Sequence, residues 1–377
     1  MSEGGARGTG RIVTVGIPTA GPPRLVDCVD GCMRLENMLI GKGFHWERAL
    51  GVKLPGRVEV VDTAGKQEYS VLNHVPLETY LMCVVGSEMN PEAPPEFLKA
   101  HAVISRSWAL GKILGAHPED DTGRVDTPEC LIGWDDTSAH TDFHVCSDDH
   151  CQRYQGVQPV SAPVAEAILS TEGVVLVDER GDVVDARFSK CCGGRTELFS
   201  TCWQDREMPG IESVEDEWCD LSSLPQAQVR RILKDYDLST GGGYRWETLV
   251  SKREIEENLR AKFGRSVGRV QTIEALERGS SGRVKLLRII GNGGALTLGK
   301  ELWIRRLLSP THLYSSAFSI TDCGDTIRLT GRGWGHGAGL CQTGAAGMAL
   351  AGADYRTILS HYYPHTHLLR DGVLKSI

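Results

Sequence analysis

Apolar and β-branched residues alternate with polar ones over residues 11–17, Arg-Ile-Val-Thr-Val-Gly-Ile, and this pattern predicts an opening strand. Short strand-like stretches follow at 53–61 and 68–72. The period then changes. Leu77, Leu81 and Val84 share one helical face to about residue 85, and Asn90-Pro91 ends that helix. Pro94-Pro95 opens a long helix to about Gly115, with Phe97, His101, Ile104 and Trp108 on one stripe. From 123 to 156 the period disappears into Asp, Thr, His and Cys. Helix returns near 163–170, with strands at 174–177 and 183–188.

Residues 206–320 read as a second lobe. It holds a helix near 226–235, a Gly241-Gly-Gly243 turn, a helix over 251–263 and strands after Val270. The end of the chain, 326–377, reads as a strand, a glycine-rich turn, a small-residue helix and a last helix stopped at Pro364. Strands and helices alternate without a βαβ rhythm, so the expected class is α+β. The expected organisation is a flexible leader over 1–10, a catalytic lobe over 11–205 plus 321–377, and a smaller α+β lobe over 206–320.

Composition narrows this picture. The chain of 377 residues is 41% hydrophobic and 24% charged, ordinary for a globular protein. No run approaches the roughly 20 apolar residues of a membrane helix, and the leader lacks the apolar stretch of a secretory signal. A formal charge of −8 excludes a general nucleic-acid surface, which needs clustered cations. The 12 cysteines leave the redox compartment open.

Several residue groups carry candidate chemistry. Glu88 closes the first helix, where a side chain can face a cleft, although a lone glutamate there is more often a solvated charge. Lys99 and Arg106 lie seven residues apart on the next helix, so the spacing brings both to one side, either as an exposed basic face or as a cationic wall gripping an oxygen-rich substrate. His140, Cys146, His150 and Cys151 form the ligand set of a closed tetrahedral zinc site, with a structural role. His144 is a substitute ligand in that reading, and a Cys146–Cys151 disulfide is the alternative.

Ser189-Lys190-Cys191-Cys192-Gly193-Gly194-Arg195-Thr196 follows a strand and makes a turn able to present backbone N–H groups. Its cysteines lack a neighbouring base, so a buried or disulfide-bonded state is expected rather than a nucleophile. Gly335, His336 and Gly337, followed by Gln342, lie in a glycine-rich stretch before a helix, where backbone comes close to a ligand. Neither a phosphate-binding loop nor a dinucleotide fingerprint is present.

Together these segments resemble the sporulation stage II protein D family, also called the amidase-enhancer family. The resemblance runs through Val75-Pro-Leu-Glu-Thr-Tyr-Leu81, Glu88-Met89, residues 98–108, His150-Cys-Gln-x-Tyr-x-Gly156, Cys192-Gly-Gly-x-Thr196, Gly335-His-Gly-x-Gly339 with Gln342 and Gly344-Ala345, and Ile358-Leu-x-His-Tyr-Tyr-Pro364. It implies a lytic transglycosylase acting on peptidoglycan strands stripped of stem peptides, with the catalytic glutamate on Glu88 and flanking helix residues on Lys99 and Arg106. It also implies zinc on His140, Cys146, His150 and Cys151, an amidase as a partner, and a place in the cell envelope or extracytoplasmic space. Substrate contacts are expected at Lys99, Arg106, Ser189, Lys190, Gly193, Gly194, Thr196, Gly335, His336, Gly337 and Gln342. Ser105 and Ser107-Trp108 depart from the family's Ala and Thr-Tyr, and Cys191-Cys192 doubles a single cysteine. Two other functions compete: a non-enzymatic glycan-binding module that stimulates an amidase, and a metallohydrolase with an open zinc position.

Overall fold

The computed structural model describes residues 11–28, 30–41, 47–61, 69–116, 123–134, 140, 142–148, 151–232 and 243–370. Strands β1 (Ile12–Pro18), β2 (Leu25–Asp27), β3 (Met33–Ile40), β4 (Arg48–Leu54), β5 (Arg57–Val60) and β6 (Tyr69–Pro76) lead into helices α1 (Leu77–Glu88) and α2 (Pro95–Leu114). Next come β7 (Val125–Asp126), β8 (Cys130–Ile132), β9 (Val145–Cys146), α3 (Ala162–Ser170), β10 (Val174–Val177), β11 (Phe188–Ser189), α4 (Phe199–Cys202) and α5 (Gln226–Ile232). The chain continues through β12 (Arg245–Ser251), α6 (Lys252–Phe263), β13 (Val270–Arg278), β14 (Val284–Gly291), β15 (Gly294–Gly299) and α7 (Glu301–Leu307). It closes with β16 (Phe318–Asp322), β17 (Thr326–Arg332), β18 (Leu340–Cys341), α8 (Gln342–Leu350), α9 (Tyr355–Tyr362) and β19 (His367–Arg370). The class is α+β, with strands divided among several small sheets.

The elements that carry Glu88 grow from the sheet β5-β6-β1-β9. β1 and β6 pair antiparallel, with Val13 opposite Val75 and Ile17 opposite Val71. Their alternation sends Val13, Val15, Ile17, Val71 and Val75 into one core, as the two-residue period of a strand requires. α1 continues directly from β6 and buries Leu77, Tyr80, Leu81 and Val84. Burial of Leu81 and Val84 contributes roughly 1.5–3 kcal/mol each. Pro95 starts α2, where a missing N–H is harmless, and Gly115 caps it with φ +63°. β9 adds to the free side of β1 in parallel, Gly16 opposite Cys146. One end of the aperiodic segment is thereby fixed to the sheet.

Two large hydrophobic cores are present. The first joins β1, β3, β4 and β6 to α1, α2, α8 and α9, and it takes in Met208, Ile211, Cys219 and Ile232. The second packs the sheets β13-β14-β15-β8-β7 and β12-β17-β16 around α6 and α7. Its members run from Trp246 to Leu329 and include Leu131 of β8. The expected boundary of 206–320 therefore cuts through both cores. β17 belongs with the second because Ile327 and Leu329 alternate inward and the strand pairs with β12.

Of the expected helices, the one at 251–263 forms with a full capping box, Ser251 accepting from Glu254 N while Glu254 accepts from Ser251 N. The stretch at 183–188 is strand only at its end. Val183 makes an isolated bridge to Val177, and β11 begins at Phe188. Gly241, Gly242 and the residues after Ile232 in the expected helix lie outside the described residues. No described helix is long and apolar enough to cross a membrane.

Candidate active site and metal-ligand clusters

Glu88 is the last residue of α1 and is half-buried. Its Oε1 accepts the backbone N–H of Arg153 at 3.0 Å, and the adjacent Ser87 Oγ accepts Gln155 N–H at 3.0 Å. The strand-less segment after Cys151 is thus tied to the helix end by two backbone donors. Tyr80 strengthens the tie by stacking on Tyr154 at 5.7 Å and by donating its hydroxyl to Gln152 Oε1 at 3.1 Å. Tyr154 in turn donates to Asn73 Oδ1 of β6 at 2.6 Å. Sheet, helix and loop share one polar network under the carboxylate, and such networks hold only when each member is satisfied.

The expected cationic wall does not form. Lys99 pairs with Glu96 at 2.6 Å on its own helix, and Glu96 also accepts Tyr355 N–H at 2.9 Å. Arg106 is 1% exposed and makes a forked pair with Glu78, at 2.8 and 2.7 Å. It also donates to the Val174 and Ile168 carbonyls. Helical spacing placed Arg106 and Lys99 on one side, but tertiary packing covers that side at Arg106. Its guanidinium joins α1, α2, α3 and β10 instead of facing a substrate. Among the described residues no ion pair involves Glu88.

Cys146 and Cys151 meet His140, with Cys146 N–H donating to Cys151 Sγ at 3.3 Å and His140 Nε2 at 3.5 Å from Cys151 Sγ. The ligand atoms of these three all lie within 4.8 Å of one another, and Cys146 and Cys151 are not joined in a disulfide. The donor set suits zinc: borderline-soft sulfur and imidazole on a segment with little regular structure. His150 lies outside the described residues. His144 Nδ1 accepts Thr14 N–H at 2.9 Å, which occupies that nitrogen in holding β1.

The other motif residues converge around β11 and β18, which pair in parallel with Ser189 opposite Cys341. Gln342 opens α8 and its Nε2 meets His101 Nε2 at 3.2 Å. With the amide as donor, the imidazole accepts there and donates Nδ1–H to Ser105 Oγ at 3.1 Å. Burial, assisted by the Lys190 charge, pushes the His101 pKa down to about 3, so this ring is neutral. Ser189 is buried, and its Oγ has no hydrogen-bond partner. The Lys190 carbonyl accepts from both N and Oγ1 of Thr343. His101 is in the second turn of α2, so it and Glu88 lie near the same end of the α1–α2 hairpin. No described contact joins them.

Gly335, His336 and Gly337 are carried on Arg283, which is fully buried. Its Nε and Nη2 donate to the Gly335 carbonyl. Gly337, at φ +80°, has no room for a side chain, since a Cβ would lie 2.4 Å from Arg283 Cζ. His336 Nδ1 accepts Ala338 N–H at 3.0 Å, leaving the proton on Nε2, and its ring packs edge-on against Trp203 at 4.9 Å. Burial and the charges of Arg187, Arg283 and Arg305 push its pKa down to about 3. Gly193 and Gly194 both adopt positive φ in the turn after β11. Thr196 is fully buried, donating to the Glu212 carbonyl at 3.0 Å and accepting Val214 N–H at 2.8 Å. That is a fold contact, not an expected substrate contact.

Sequence reading placed His101 only on a helix stripe and passed over Arg283, Glu197 and Asp216. Glu197 is fully buried and accepts from Leu198 N, Ser280 N, Ser281 N and Ser281 Oγ. Nothing in local pattern marks Glu197, because the Ser280 and Ser281 groups that hold its carboxylate lie 83 and 84 positions away. Cys341 directly precedes Gln342 of the glycine-rich motif, but its cysteine and aspartate neighbours come from distant segments.

The sequence model of the stage II sporulation protein family matches residues 65–177, which contain α1, α2 and the Cys/His loop. A domain family of unknown function matches residues 197–339. Stage II sporulation protein D of Bacillus subtilis is 26% identical over 327 residues, covering 87% of this chain and 82% of that protein. An uncharacterised protein of Brachyspira hyodysenteriae is 27% identical over 293 residues, 78% of this chain and 66% of that one. The Bacillus subtilis amidase enhancer is 35% identical over 65 residues, 17% of this chain and 9% of that protein. These matches support a relationship of the chain to the stage II sporulation protein D and amidase-enhancer family.

Proposed function

We propose that this protein is a peptidoglycan lytic transglycosylase with Glu88 as its acid and base. The family match and the amidase-enhancer relative support the coarser statement, a cell-wall-related role. The observation that carries the finer one is the setting of Glu88: a half-buried carboxylate at a helix end, aimed by one backbone N–H and free of any described cationic partner. Retaining and inverting hydrolases generally need two carboxylates. A lytic transglycosylase needs one, because the muramic acid 6-hydroxyl attacks its own anomeric carbon. Glu88 protonates the leaving glycosidic oxygen as the C1–O bond breaks. As carboxylate it then takes the proton of the 6-hydroxyl while the new C1–O6 bond forms, giving a 1,6-anhydro sugar. The proton returned to Glu88 resets the site without water.

His140, Cys146 and Cys151, with His150, would hold a structural zinc. When bound, that ion supplies a rigid cross-link to the loop whose next residues end at Arg153 N–H and Glu88. Gln342, Lys190 and the Gly335–Gly337 turn form the proposed glycan-binding surface, and an amidase is a proposed partner by way of the amidase-enhancer relative. The test is mass spectrometry of peptide-free glycan strands after incubation with the purified chain. Fragments ending in 1,6-anhydro-muramic acid are expected, and none from the Glu88→Gln variant. Reducing ends would replace this mechanism with hydrolysis. Retained glycan binding without any cleavage would favour the non-enzymatic amidase-stimulating role.

A further inference from the structure

Outside the Glu88 site, four cysteines from three distant segments meet in the first core. Cys191 and Cys192 come from the turn after β11, Cys219 ends a single 3₁₀ turn (Glu217–Cys219), and Cys341 is the N-cap of α8. All four are at most 1% exposed, and all are free thiols. Cys192 Sγ lies 3.6 Å from Cys219 Sγ and 3.1 Å from Asp216 Oδ2. The ligand atoms of Cys192, Asp216, Cys219 and Cys341 are all within 4.8 Å of one another. The Cys191 thiol reaches Cys219 and Cys341.

Three physical features point to a cation at their centre. The first is spacing. A zinc–sulfur bond of about 2.3 Å puts tetrahedral sulfurs roughly 3.8 Å apart, close to the Cys192–Cys219 separation of 3.6 Å. A disulfide requires about 2.05 Å, and an iron–sulfur cluster needs space for its own sulfides between the cysteines.

The second feature is the ring of backbone donors. Cys341 Sγ accepts N–H from Cys192 at 3.2 Å and from Gly344 at 3.3 Å. Cys192 Sγ accepts from Gly194 at 3.4 Å, and the Gly193 N–H faces Cys219. A thiol sulfur is a weak acceptor, whereas a metal-bound thiolate is a good one. Gly193 and Gly194, at φ +82° and +112°, give the turn the concave N–H arrangement that an anion needs.

The third feature is charge. Asp216 is 1% exposed and accepts from Tyr362 Oη at 3.0 Å and Trp218 N at 3.1 Å. No described ion pair reaches it. Buried acidic groups are paired or bind metals, because isolation from water is otherwise too costly.

We infer that Cys191, Cys192, Cys219 and Cys341 form a second, thiolate-rich site for one tetrahedral divalent ion of the zinc class, with Asp216 as its outer carboxylate. Four sulfurs select zinc over calcium or magnesium. Four protein ligands close the shell, so the site is structural. It clamps the Cys191–Gly194 turn, the 216–219 segment and the start of α8. The clamp extends to the glycine motif, since Cys191 and Trp334 exchange both backbone hydrogen bonds, at 3.1 and 2.7 Å. None of this depends on the role assigned to Glu88.

The decisive experiment uses the full chain carrying His140→Ala, Cys146→Ala and Cys151→Ala, so that only the second cluster can bind. One zinc per chain is expected by elemental analysis, and cobalt(II) in its place should give the intense visible bands of a tetrahedral tetrathiolate. Adding Cys219→Ser should abolish both, and adding Cys191→Ser should weaken the sulfur-to-cobalt band. A folded chain without metal, or peptide mapping that finds a disulfide among the four, would overturn the site. An unchanged spectrum in Cys191→Ser would remove that residue from the ligand set. If the triple variant fails to fold, the wild-type chain decides by alkylation in denaturant. Cys191, Cys192, Cys219 and Cys341 should resist iodoacetamide until a chelator is added, and labelling indifferent to chelator would refute the proposal.

Discussion

Replacing Arg106 by Met separates the structural from the substrate-binding reading of this α2 residue. Arg106 is 1% exposed and Glu78 16% exposed on their side chains. The substitution removes two charge-assisted hydrogen bonds to Glu78 and those to the Val174 and Ile168 carbonyls, at 3.0 and 3.4 Å. Breaking a buried pair from one side costs about 3–5 kcal/mol, mostly by stranding the other charge. Glu78 retains some access to water and can rehydrate in part, so the lower end applies. The expected loss is about 3 kcal/mol.

The cause can be isolated by a second change. Replacing Glu78 by Met as well removes the stranded charge, and the double variant should recover to within about 1–2 kcal/mol of wild type. Urea unfolding followed by circular dichroism gives the midpoint for each chain, compared at equal slope. Glycan pull-down on the same preparations gives the functional arm. A single variant within about 1 kcal/mol of wild type that no longer binds glycan would refute the reasoning and return Arg106 to the substrate surface.

Other predictions follow from the same contacts. The folded pKa of His101, about 3, is below the unfolded value of about 6.5, so the unfolded chain takes up the proton first as pH falls. Its contribution is intact above roughly pH 6.5 and lost progressively toward pH 3, by up to about 1.4 kcal/mol per pH unit. His101→Asn should therefore flatten stability against pH in urea titrations, and parallel slopes would count against a neutral buried ring. Gly337→Ala places a methyl 2.4 Å from Arg283 at a positive φ and should destabilise by at least about 1 kcal/mol in the same assay. A chelator should lower the melting temperature of the wild-type chain. Activity lost with the melt unchanged would instead assign the His140 cluster to chemistry.

What was legible in the sequence was local. α2 begins at Pro95 and ends at Gly115 because those residues carry their own backbone preferences. The capping box at Ser251 and Glu254 is likewise a three-residue signal. β3 has no such marker: Met33–Ile40 mixes charged and apolar positions, with a register shift between Leu35 and Met38 that interrupts the alternation. The same division separates the site residues. Glu88 could be found because it ends a helix just before a proline-rich break. Arg106 was misplaced because spacing gives an angle on a helix but not what packs there. Asp216 and Cys219 were invisible because their neighbours, Cys192, Cys341 and Tyr362, come from other parts of the chain.

The two cysteine-bearing clusters divide the problem of stiffening a surface built from loops. With metal bound as proposed, one would fix the segment whose Arg153 N–H meets Glu88. The other would fix the turn beneath Ser189, Lys190 and the glycine motif. A carboxylate that must first give and then retrieve a proton gains from a fixed position, because a displacement of about 1 Å can cost a hundredfold in rate. Loop backbone alone, with few apolar contacts, does not supply that rigidity. If both clusters bind metal independently, their removal should be additive in stability, since they share no ligand. In activity the two should differ. Loss of the His140 cluster should lower turnover by loosening Glu88, while loss of the Cys219 cluster should first weaken glycan binding. Equal effects of both on turnover and binding would show that the two loops move as one body.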